Sequence, residues 1–123
     1  MPHLEATWTK GDVFQFFNAT PQEEGTVPQV MATVAIFRKS FQGVSFVRTW
    51  RDIVENNYRL INDAQSAAPN DPSFRDHRHD QSVFSMLVKS RHDIAMTIPD
   101  ETWGPDWDTF NSSIPFQARR IKC

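Results

Sequence analysis

Residues 30–37 read VMATVAIF, a run in which Thr33 is the only polar side chain and which Arg38 and Lys39 close. The run has strand length and is rich in Val and Ile. Apolar sequence without alternation suits a strand buried on both faces, as in α/β proteins. On that reading the rest of the chain must supply helices to cover the sheet.

Two segments have the spacing for this. In residues 45–61 (SFVRTWRDIVENNYRLI), Phe46, Trp50, Ile53, Val54 and Ile61 recur at helical intervals, with Arg48, Arg51, Asp52 and Glu55 elsewhere on the wheel. This is the main amphipathic helix expected from the pattern. Residues 81–89 form a second, with Val83, Phe84, Leu87 and Val88 inward. Thr9 is expected to cap a short helix over residues 10–17, with Asp12 at the capping-box position. Residues 18–28 and 62–76 read as loops from their Pro, Gly, Asn, Asp and Ser content. The first of these contains the sequon Asn18-Ala19-Thr20, followed by Pro21. Residues 94–98 read as a short strand ended by Pro99. The tail, residues 100–123, carries Trp103, Trp107, Phe110 and Phe116 with little periodicity; such aromatics pack in cores or stack on sugars. The order helix, strand, helix, loop, helix, strand, tail predicts an α/β fold, a mixed sheet flanked by helices.

Composition narrows the function classes. With 39% hydrophobic residues in 123, the chain suffices for one core and one domain. The formal charge is −2 and no Lys/Arg cluster tracks a phosphate backbone, which argues against nucleic acid as partner. No apolar run reaches the roughly 18–20 residues of a membrane span. The opening MPHLEATWTK lacks the regions of a secretory leader. Cys123 is the single cysteine, so neither an internal disulfide nor a cysteine zinc cluster is available. None of this assigns a compartment.

The densest chemistry is His77-Arg78-His79-Asp80, running into the second helix. Free N–H groups and the helix dipole favour negative charge there, so Asp80 reads equally as an N-cap. His77, Arg78 and His79 oppose the dipole. They read as a solvated charge run or, with the free N–H groups, as a phosphate site. A His-x-His pair beside an aspartate also admits a small metal-dependent hydrolase using His77 and His79. Against that, no third histidine follows closely; His92 lies beyond the helix and His3 near the start. There is no Gly-x-Ser-x-Gly elbow, and Gly11, Gly25, Gly43 and Gly104 are too scattered for a phosphate loop.

The run HRHDQSVFSMLVK resembles the HRHDQS signature, followed by an apolar helix, of a group of nucleotide-sugar-dependent glycosyltransferases of GT-A-like type. Four further segments are similar to that group in the same order: WTKGDVFQFF from Trp8; Gln29 followed by MATVAIFRK; FVRTWRDIVENNYRLIND from Phe46; and PFQARRIK from Pro115. The resemblance spans about His3 to Lys122, and HRHDQS is its specific part.

The resemblance implies a partial GT-A-like fold and transfer of a sugar from a nucleotide-diphosphate donor to an acceptor hydroxyl. It implies a divalent metal, Mn or Mg, in the complete enzyme, held by an acidic motif upstream of WTK. Only MPHLEAT precedes WTK here, so residues 1–123 are expected to be the C-terminal portion of a larger glycosyltransferase domain, inactive alone. Asp80 would be the catalytic base or accept a sugar hydroxyl. His77, Arg78 and His79 would meet the diphosphate, Gln81 the sugar, and Trp8 and Lys10 the border of the donor pocket. A non-catalytic α/β module that binds a partner or a glycan is the alternative. An uncovered strand 30–37 would also promote self-association.

Overall fold

The computed structural model describes residues 3–91, 93 and 95. The described residues form four α-helices: α1 (Glu5–Trp8), α2 (Gly11–Phe16), α3 (Phe41–Asn56) and α4 (His79–Ser90). Single 3-10 turns form at Glu24–Thr26 and Tyr58–Leu60.

The described residues do not form the expected mixed α/β sheet. Among the described residues there is no strand, and the one β-type pairing is an isolated antiparallel bridge between Leu4 and Pro28. The apolar run 30–37 is a strap across α4, outside any strand. Two of its amides find side chains instead of a neighbouring strand: Val30 N donates to Ser85 Oγ at 2.8 Å and Ala32 N to Gln81 Oε1 at 3.4 Å. Val30 and Ala32 pack on Phe46, Phe84 and Leu87, whereas Val34 and Ile36 remain 52% and 73% exposed. A backbone satisfied by side chains needs no ladder, and a short apolar run does not by itself reveal which it will take. The strand expected at residues 94–98 and the tail lie outside the described residues.

The helices follow their apolar spacing, with caps setting the ends. α3 begins four residues before the expected Ser45, because Ser40 Oγ accepts from Gly43 N at 3.1 Å, an N-cap bond. α2 runs close to its expected span, but Thr9 does not cap it. The Thr9 hydroxyl donates to Glu5 Oε1 at 2.5 Å. At the other end, Asn18 takes the left-handed conformation (φ 53°) that closes helices.

α4 lies at the centre. Its Val83 and Met86 join Val13, Phe14 and Leu60 in one buried cluster, and its Phe84 and Leu87 join Phe46 in a second. Trp50, Ile53 and Phe17 pack against both, making one continuous core. The Trp50 and Phe84 rings sit 4.7 Å apart. Complete burial of such side chains contributes about 1.5–3 kcal/mol each, so α4 holds the other helices in place and fixes the orientation of its own N-terminus.

Candidate functional site

The site is built where two distant segments meet. The Thr7 carbonyl accepts from Arg75 N at 2.9 Å. The Trp8 carbonyl accepts from Arg78 N at 3.0 Å and from Ser82 Oγ at 2.9 Å. The WTK segment is thereby bonded to the HRHDQS segment, and the head of α4 is set against α1.

Within HRHDQ, residues divide by direction. His77 turns in and is 6% exposed. Its Nδ1 accepts from Lys10 N at 3.4 Å and its Nε2 donates to Leu60 O at 2.7 Å. Burial drives its pKa down to about 4, against the opposing Leu60 bond. A neutral imidazole with both nitrogens engaged ties α2 to the turn at Leu60 and has neither an N–H left for an anion nor a lone pair left for a metal. Gln81 also turns in, donating to Gln29 Oε1 at 2.8 Å.

Lys10 is likewise consumed inside the protein. Its Nζ donates to Asn62 O at 3.0 Å, and to Asn62 Oδ1 and Ala64 O at 3.4 Å. Desolvation lowers its pKa despite the nearby Asp12. It clamps the loop after α3.

Arg78, His79 and Asp80 face solvent. The Arg78 guanidinium lies 4.3 Å from the centroid of the Trp8 ring, a cation–π stack. Trp8, half-buried, is braced by an edge contact with His3 at 5.4 Å. His79 Nε2 bonds Asp63 Oδ1 at 2.6 Å, and that bond holds the Asp63 carboxyl below its ordinary pKa. His79 also has φ 50°, in the left-handed region. For a residue with a Cβ this conformation costs about 1–3 kcal/mol and persists only where the surroundings impose it, as they do at many functional sites. Asp80 sits in the first turn of α4, where the helix dipole favours its charge.

The two histidines do not share a metal position. His77 bonds Leu60, His79 bonds Asp63, and among the described residues no three His, Cys, Asp or Glu side chains converge.

Sequence reasoning passed over Glu5. Its carboxylate is fully buried and accepts from Thr9 Oγ1, Gln29 Nε2 (3.0 Å), Ser85 Oγ and Lys89 Nζ (2.5 Å). Gln29 Nε2 also reaches Thr9 Oγ1 and Ser82 Oγ. The signal was present in α4, where Ser82, Ser85 and Lys89 form a polar stripe at helical spacing inside an apolar segment. The network locks α1 and the Gln29 segment onto α4. These bonds hold the site in register.

No protein-family model, no curated protein and no solved structure matches this chain. The resemblance therefore rests on the quoted segments, two of which, WTKGD and HRHDQS, are in contact here.

Proposed function

We propose that Arg78, His79 and Asp80, with Trp8 and Asp63, form the donor-facing edge of a glycosyltransferase that moves a sugar from a nucleotide diphosphate to an acceptor hydroxyl. The observation that carries this reading is the division within HRHDQ. His77 and Gln81 are spent on internal bonds, while Arg78 and His79 are exposed yet held, one on Trp8 and one on Asp63 at a left-handed backbone. Exposed side chains kept in fixed positions are what ligand recognition requires. The helical architecture replaces the expected sheet, so the reading rests on the site and the motif resemblance and not on the fold.

The Arg78 guanidinium suits the oxygens of a leaving diphosphate through charge-assisted, bidentate bonds. The bond from the sugar's anomeric carbon to the diphosphate breaks with its electron pair on the diphosphate. The acceptor oxygen bonds to that carbon, and its proton passes to the Asp80 carboxylate as general base. Among the described residues no three His, Cys, Asp or Glu side chains are grouped to hold a divalent metal.

Calorimetric titration with uridine- and guanosine-diphosphate sugars tests the reading. Saturable binding that Arg78→Ala weakens at least tenfold is expected, with Asp80→Asn leaving donor binding intact. Absence of binding to every sugar nucleotide overturns it.

A further inference from the structure

α3 has two faces. Phe46, Trp50 and Ile53 pack toward α4, and the opposite side carries exposed side chains. There Phe41 is 87% exposed and Val44 more than a third exposed. Beside them runs a shallow groove of about 620 Å³, lined by Lys39, Phe41, Val44, Arg48 and Asp52 among others. Phe41, Val44, Arg48 and Asp52 follow the three- and four-residue spacing of a single helical stripe. Charge changes sign along it: Lys39 lies before the helix, Arg48 in the middle and Asp52 further on. No ion pair among the described residues engages Lys39 or Arg48, whereas Asp52 Oδ1 accepts from Arg51 of its own helix at 2.7 Å and keeps Oδ2 for a second cation.

We infer that this face of α3 binds a second copy of the same chain about a twofold axis. The argument is self-complementarity. A twofold axis perpendicular to α3 sets the two helices antiparallel, and every contact occurs twice. With the axis level with Ser45, Lys39 of each copy lies within one residue's rise of the other's Asp52. Phe41 of each copy then lies under the other's Arg48, a cation–π arrangement. The small side chains at the axis let the backbones approach. A parallel arrangement would instead set Lys39 against Lys39. The apolar residues supply the affinity, and the paired charges select the antiparallel register.

Sedimentation equilibrium of the full chain over a concentration series is expected to give a monomer–dimer equilibrium. Val44→Asp, at the axis, abolishes the dimer. Lys39→Glu alone and Asp52→Lys alone each turn two attractions into two repulsions and raise the dissociation constant about tenfold. Mixing these two variants restores association, because each interface contact then pairs Glu with Lys or Lys with Asp; the double variant in one chain does the same. Unchanged circular dichroism and melting of each variant excludes misfolding, since all three side chains are on the surface. A full chain that stays monomeric throughout, its face covered by its own C-terminal segment or reserved for another protein, overturns the inference. So does a dimer that ignores the charge exchange.

Discussion

Ser82 Oγ donates to the carbonyl of Trp8 at 2.9 Å, and through that bond two segments far apart in the chain form one surface. The partners of the bond are a buried helix residue and the last residue of α1. The position of Arg78 over the Trp8 ring thus depends on how α1 is seated, and α1 is seated by Glu5.

Glu5→Ala is expected to be among the most destabilising substitutions in the chain. It removes the common acceptor of Thr9, Gln29, Ser85 and Lys89. Breaking a buried pair by deleting one partner leaves the other uncompensated, at about 3–5 kcal/mol. The midpoint of urea unfolding checks this; a loss within about 0.5 kcal/mol, typical of a surface change, would contradict it.

His77 makes stability fall in mild acid. Its pKa is depressed from 6.5 to about 4 by burial, so the native state favours the neutral ring. The corresponding stability is fully present above 6.5 and is lost as pH drops from there toward 4, by at most about 3 kcal/mol. His77→Gln is expected to flatten the unfolding free energy between those limits. An NMR titration in which His77 protonates near 6.5 would refute the assignment.

Asp12 anchors the loop that follows α3. Burial alone would raise its carboxyl, but the Ala68 and Ala67 amides and the Ser66 hydroxyl hold it below the ordinary value. Asp12→Ala should cost about 1 kcal/mol and expose residues 66–68 to faster amide exchange. Unaltered protection at Ala67 and Ala68 would show that the loop is held by other contacts. Gly11 limits the same loop, since a Cβ there would meet Pro69 O at 2.2 Å.

The inward residues of α4 were legible because Val83, Phe84 and Leu87 repeat at helical spacing and only a helix buries them together. Residues 30–37 were not. An apolar run has the same appearance whether a neighbouring strand or a helix's side chains receive its amides, and here Ser85 and Gln81 receive them. Thr9 illustrates the same limit, since a hydroxyl suited to capping is taken by Glu5, a residue with no local pattern to mark it. At the candidate site the cluster was visible, but its division into inward and outward members was not. His77 and Lys10 are polar in sequence and internal in the structure, because their partners Leu60 and Asn62 come from another part of the chain.

The most direct measurement is an amide chemical-shift map of the full chain as a uridine-diphosphate sugar is added, repeated with Arg78→Ala. Saturable shifts centred on Trp8, Arg78, His79 and Asp80, and their disappearance in the variant with its fold intact, are the expected result. Shifts centred elsewhere, or shifts at these residues that persist without Arg78, would contradict a donor edge at the head of α4.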